Sequence, residues 1–255
     1  VWLYAAFAAG MMGVGPFHAH LGDVYRRKNL FLLPAIGMAA AEVGYGYAEQ
    51  WSYCCLLALV QGACFALALV GDLTVAIDIT HSLRRTAGNL TYAWIGRMGM
   101  MVGCCVGGWL LQYLGFRQLT LVAAAAMGLG CLLGMRVYLP FHAPIGVPVA
   151  TLDRFLLPRA WLPAIGVFLL AAAVGQLIPL LLTGDYCPLL GLGLLAVGVI
   201  PFVRLFVRLS HHCQRGTANA SCYLSLDMGV LLGLALSYRQ LDAVTIHQSA
   251  LRWGV

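Results

Sequence analysis

Four charged side chains fall in stretches that otherwise lack charge: Glu42, Asp72, Arg97 and Asp227. A charge inside the hydrocarbon of a bilayer costs roughly 2.5–3.5 kcal/mol or more near a helix centre, so it faces a partner or an aqueous cavity. A carboxylate so placed can take up and release protons, and an arginine can hold an anionic group. Gln61 stands eleven residues before Asp72, about 20° away around a helix, so both can face one cavity. Asp72 and Arg97 sit on consecutive antiparallel segments at similar depth and can pair, either as a salt bridge that fixes packing or as part of a transport path. Asp227 is the strongest candidate for a protonatable group, since no cation in its own segment neutralises it. A place near a helix N-terminus would equally favour a plain carboxylate. Glu42 can snorkel or bond a neighbouring helix.

The segments carrying these charges are apolar. With 62% hydrophobic and 9% charged residues and a mean hydropathy of +0.87, the chain is too apolar for a soluble domain, whose charged share is roughly 25%. Runs of about 20 nearly uncharged residues suit helices across a hydrocarbon core of about 30 Å, and no segment has the shorter alternating pattern of a membrane barrel. The sequence therefore reads as an all-α polytopic membrane protein. Eight spans can be drawn, over residues 1–21, 30–48, 52–77, 88–113, 117–137, 161–182, 187–207 and 219–238. Their connections alternate: one set holds eleven cations, from Arg26, Arg27 and Lys28 to Arg215, and the other only Arg117 and Arg239. The positive-inside bias makes the first set cytoplasmic, for a multi-pass protein of the cell (inner) membrane. The net charge of +6 thus follows from topology and gives no reason to expect nucleic acid as a partner. Residues 138–160, with Pro140, Pro144, Pro148 and Pro158, read as a cytoplasmic linker, with a short surface helix at Leu152–Leu157. It joins an N-terminal membrane half, 1–137, to a partial C-terminal half, 161–255. The chain opens inside an apolar run and closes on LDAVTIHQSALRWGV, which starts a further helix; it reads as a fragment with spans missing on each side.

Glycines give the second pattern. Gly99, Gly103 and Gly107, followed by Gly108, recur in RTAGNLTYAWIGRMGMMVGCCVGG, Arg85 to Gly108. On a helix they form a stripe where another backbone can approach closely. RGTANASCYLSLDMGVLLG, Arg215 to Gly233, repeats the pattern: Arg215 aligns with Arg85, Asn219 with Asn89, Met228 and Gly229 with Met98 and Gly99, and Gly233 with Gly103. Asp227 falls opposite Arg97. This is the mark of an internally duplicated membrane unit.

The first cytoplasmic turn, GPFHAHLGDVYRRKN, resembles the signature loop of the major facilitator superfamily, G-x-L-x-D-R-x-G-R-K, through Asp23, Arg27 and Lys28. Ala19, Val24 and Arg26 replace its first glycine, first arginine and second glycine. GMMVGCCVGGWL resembles that family's antiporter motif, G-x-x-x-G-P-x-x-G-G, with Cys104 for the proline, and Arg215 to Gly229 resembles the opening of its eleventh helix. The resemblance runs from Val1, within helix two, to about Tyr238. It implies two pseudosymmetric helical halves around a central cavity and transport by alternating access. The Asp23 cluster, with Arg26, Arg27 and Lys28, would tie the halves together, Asp78 accepting an ion pair from Arg26 or Arg27. The bland alternative is that these cations only set topology and meet lipid headgroups. The glycine run, Gly99 to Gly108, would pack the halves and tilts the resemblance toward efflux of a small organic solute such as a drug or metabolite, with protons as the exchanged ion. Two departures stand against a conventional member: Ala58 lies near the place of an arginine usual in proton-coupled members, and only two spans fit between Trp161 and Arg215 where the family has four.

Nine cysteines lie mostly within spans without the spacing of a zinc site, and His211, His212 and Cys213 form a loop triplet that is more often merely polar. No hydrolase, zincin or P-loop motif stands in the sequence. No enzyme activity, metal or cofactor is expected, and 255 residues leave no room for a nucleotide-driven pump. The expected partners are a small-molecule substrate, protons and the lipid bilayer, with a monomer as the family-level expectation. Two other classes compete: a membrane binding or sensor protein that keeps the fold without net transport, and an intramembrane lipid-modifying enzyme using Asp72 or Asp227. Uptake into lipid vesicles separates the first from transport, and product formation from labelled lipid identifies the second.

Overall fold

The computed structural model describes residues 2–79, 85–137, 146, 148–150, 156–183, 189–210 and 215–253. Helical residues fall within each expected span, the first of which holds two helices and a 3-10 turn. The first, α1 (Trp2–Val14), passes through a 3-10 turn at Gly15–Phe17 into α2 (His18–Val24). Pro16 sits in the first turn of that short element, where a missing N–H is not needed, so the chain keeps its helical course. The Nδ1 of buried His18 meets the Gly15 carbonyl oxygen, and extended Tyr25 ends α2. There follow α3 (Arg27–Tyr47), α4 (Trp51–Ile79), α5 (Arg85–Leu114), α6 (Phe116–Met135), α7 (Trp161–Thr183), α8 (Leu189–Leu209) and α9 (Arg215–Trp253). Gly115 alone separates α5 from α6, and its φ of +74° supplies the left-handed backbone that so sharp a turn requires.

All regular structure among the described residues is helical. Five helical stretches there are long and apolar enough to cross a membrane: Lys28–Tyr47, Trp51–Leu69, Phe116–Met135, Pro158–Gln176 and Ala220–Ser237; Trp2–Phe17 is a shorter apolar helix. One element departs from expectation. Instead of ending near residue 238 and giving way to a new helix, α9 continues to Trp253, 39 residues in all. No glycine or proline stands between Gly233 and Gly254, so nothing in the sequence interrupts it. Most of the expected surface helix at Leu152–Leu157, and the His211–Cys213 triplet, lie outside the described residues.

Two groups of helices build the packing. In the first, α1 and α3 lie along α4, and α6 lies on α3. Small buried residues such as Ala8, Ala35, Ala41, Ala58 and Ala68 keep these axes close. A Cβ added at Gly10 would strike the Leu59 carbonyl oxygen and one at Gly62 that of Phe7, so α1 and α4 touch backbone to backbone. In the second, α7, α8 and α9 enclose Val167, Val199, Phe206, Ala218, Cys222 and Val230. The α7–α9 pair is the most extensive among the described residues, and glycines set its closeness: a Cβ on Gly175 would lie 2.6 Å from the Val230 carbonyl oxygen, and one on Gly229 would strike that of Phe168. The groups meet where α1 and α4 touch α9 and where α5 touches α8.

The aligned glycines of the repeat therefore behave differently in its two copies. Gly229 and Gly233 press α9 against α7. A Cβ on Gly99, Gly103 or Gly107 would meet nothing within 4 Å. Among the described residues, these three positions of the α5 stripe therefore have room for a larger side chain. Among the described residues no helix takes against α5 the place that α7 takes against α9.

Candidate functional site

Asp227 meets a partner from the other group of helices. Its Oδ1 accepts a hydrogen bond of 3.1 Å from the Tyr4 hydroxyl, joining α9 to α1. Tyr4 itself packs against the α7–α9 core and leads an aromatic run, its ring 5.9 Å from that of Phe7, which lies 5.6 Å from Phe65 on α4. Because α9 begins at Arg215, Asp227 stands about three turns inside the helix. The favourable field of a helix N-terminus fades within the first turn, so the dipole cannot be what holds this carboxylate. The pair instead closes one end of the α1–α4–α9 junction. Farther toward α2, an apolar cleft runs between Met11, Gly15 and His18 on one side, Ala66 and Leu69 on the second and Tyr223 on the third. Tyr4, Met11 and His18 are seven residues apart in turn and so share one face of the α1–α2 course.

The loop between α2 and α3, which carries the signature residues, has described partners of its own. Lys28 Nζ donates to the carbonyl oxygen of Met135, the last residue of α6, at 2.5 Å, and to that of Val137, two residues beyond it, at 3.4 Å. Asp23 Oδ2 accepts the Gly146 amide at 2.7 Å. Arg26 precedes α3 and is exposed. With this loop, the glycine helices and the buried carboxylate in place, comparison with known families is decisive: the family model for the Major Facilitator Superfamily matches residues 2–239. The chain belongs to the major facilitator superfamily. A search of curated proteins found no match.

As a member of the superfamily, the chain is a multi-pass membrane protein and a secondary transporter of small solutes. Its remaining sequence-selected residues divide in two. Glu42 and Gln61 meet: Gln61 Nε2 donates to Glu42 Oε1 at 2.7 Å, linking α3 to α4. Gln61 is thereby turned toward α3, and Glu42 takes the helix-bonding role of the two open to it. The side chains of Arg27, Asp72, Asp78 and Arg97 lie outside the described residues, although their backbones fall in α3, α4 and α5; the Asp72–Arg97 and Asp78–arginine pairings fall there too. Sequence reasoning missed Tyr4, because a tyrosine in an apolar run carries no charge to mark it. The one usable signal was Asp227 itself, since a carboxylate at that depth requires a donor.

Proposed function

We propose that this transporter exports a small organic solute, of the drug or metabolite kind, across the cell (inner) membrane in exchange for protons. Residues 1–137 and 161–255 act as two pseudosymmetric halves joined by 138–160, rocking about a central cavity. The observation that carries this reading is the Tyr4–Asp227 hydrogen bond, an acid–hydroxyl contact between α1 and α9. An ionised Asp227 receives a charge-assisted bond from Tyr4, and such bonds are about twice as strong as neutral ones. Protonation weakens that bond and lets α1 and α9 part; release of the proton on the other side draws them together. Proton movement is thereby tied to the rocking of the halves, and solute leaves on the opposite stroke. Gln61 with Glu42, and Asp72 with Arg97, are the further candidates for the cavity wall, and Asp23, Arg26, Arg27, Lys28 and Asp78 for the cytoplasmic gate.

The test is accumulation of fluorescent cationic and neutral compounds in cells expressing the protein, with and without a protonophore, beside Asp227→Asn. The expected result is low accumulation that both the protonophore and the substitution abolish. Export that persists in folded Asp227→Asn at the wild-type rate removes Asp227 from the coupling path.

A further inference from the structure

The α3–α6 pair carries a cation at each end, and the fold uses the two differently. Each helix has an apolar stretch of 20 residues, Lys28–Tyr47 and Phe116–Met135, about 30 Å long and so enough to cross a bilayer. At one end Lys28 donates to the carbonyl oxygens of Met135 and Val137. At the other, Arg117 lays its guanidinium over the Tyr47 ring, 4.2 Å from the centroid. The two cations therefore stand at opposite membrane surfaces. Two rules run against Arg117: cations gather on the side of the signature loop, and the first turn of a helix, where Arg117 sits in α6, has a field that opposes positive charge.

The packing nonetheless holds this side chain in one place. A Cβ on Gly46 would lie 2.6 Å from Thr120 Oγ1 and 3.5 Å from Arg117 Cγ, so the end of α3 comes close enough to brace the arginine stem. Buried Thr120 donates its hydroxyl to the Arg117 carbonyl oxygen at 2.9 Å. Tyr47 covers one face of the guanidinium, and the N–H donors lie along its edges. Among the described residues no carboxylate or carbonyl takes those donors, and Arg117 is exposed. Three aromatic side chains lead into the same corner of the chain, Trp109, Tyr113 and Phe116, each at least 60% exposed; the first two stack with ring centroids 5.1 Å apart. Tryptophan and tyrosine gather at the headgroup level of a bilayer, which puts Arg117 at the depth of lipid phosphate. Exposed Leu121 and Leu132 fall within about 60° of Arg117 around the helix and offer acyl chains an apolar path below it.

We propose that Arg117, stacked on Tyr47, binds the phosphate of a phospholipid in the leaflet opposite the signature loop. The fork of N–H donors matches two phosphate oxygens at once. The site goes beyond the transport reading and does not depend on it. The experiment is native mass spectrometry of the purified full chain in detergent, titrated with dioleoyl phosphatidylglycerol, with dioleoylglycerol as the phosphate-free match and glycerol phosphate as the match without acyl chains. Wild type is expected to hold the phospholipid in preference to dioleoylglycerol. Arg117→Gln weakens the first bound phospholipid about three- to tenfold, the range of a charge-assisted pair discounted for exposure. Arg117→Lys keeps the charge without the fork or the full stacking and falls between. Arg136→Gln, just past the other end of α6, binds as wild type does. Unchanged binding in Arg117→Gln, or an equal loss in Arg136→Gln, overturns the proposal. So does displacement of the lipid by glycerol phosphate at the lipid's own concentration, which would make this a site for soluble phosphates. Should Arg117→Gln not fold, Arg117→Lys decides, and binding equal to wild type there refutes recognition by the fork.

Discussion

Replacing Gly233 with alanine tests whether the α7–α9 contact holds the second helix group together. The new Cβ would run into the Ala172 carbonyl oxygen and sit 2.8 Å from both the Gln176 nitrogen and the Gly175 Cα. All three are backbone atoms, so no rotamer change relieves the clash, and the helices must separate by roughly 1 Å. A gap of that size forfeits a quarter to a half of the dispersion attraction across it. The expected cost is about 1–3 kcal/mol, the usual range for overpacking. For a chain of this size that lowers the melting temperature by about 2–12 °C. The assay is thermal unfolding of the purified full chain in detergent, followed with a thiol-reactive dye. Cys222, 1% exposed in the core between α7 and α9, reports the opening of this contact. Gly103→Ala is the matched control, since its Cβ would meet nothing within 4 Å and alanine gains up to about 1 kcal/mol of helix propensity over glycine. It is expected to leave the melting temperature unchanged or slightly raised. Destabilisation by Gly103→Ala equal to that of Gly233→Ala would refute the assignment of the close contact to α9 and restore it to the α5 stripe.

Two further outcomes use the same melting assay. Tyr4→Phe removes the hydroxyl donated to Asp227 and is expected to destabilise by about 1–3 kcal/mol, the range for a buried acceptor that loses its donor; a melting temperature equal to wild type counts against a bond between α1 and α9. Gln61→Leu removes the amide that meets Glu42 and should cost a similar amount, whereas Glu42→Leu/Gln61→Leu should melt above Gln61→Leu because no polar group is then left without its mate. A double variant less stable than the single would mean that the two side chains do not depend on each other.

The helices were legible because each is an apolar run closed by a charge or glycine cluster, as at Tyr25–Arg26 or Gly115. Partners were not, because they depend on which helix lies beside which. Tyr4 and Asp227 are separated by 223 residues, and no spacing rule connects them. Gln61 and Asp72 share a face by helical arithmetic, yet Gln61 finds a carboxylate on α3 first. The repeat marked Gly99 and Gly103 as equivalent to Gly229 and Gly233, but spacing only says that a stripe can receive another backbone. Whether one arrives is decided by the neighbouring helix. The far end of α9 was missed for a local reason: polar residues after Tyr238 suggested a boundary, while the chain there has no residue that ends a helix.

The placement of Asp227 relative to the glycines decides which helices move together in the proposed cycle. Gly229 lies two residues beyond the carboxylate, within the turn that touches the Phe168 carbonyl oxygen on α7, and Gly233 extends the same backbone contact one turn on. By contrast, α9 meets α1 over a much smaller surface, in which Tyr4–Asp227 is a named hydrogen bond. Packed helices slide as units, because close backbone contacts resist small displacements and separate only at their weaker surfaces. A change of charge at Asp227 therefore acts on a helix clamped to α7 and lightly held by α1. In the proposed cycle the surface that opens is the one between α1 and α9, with α7 and α9 travelling as a single body.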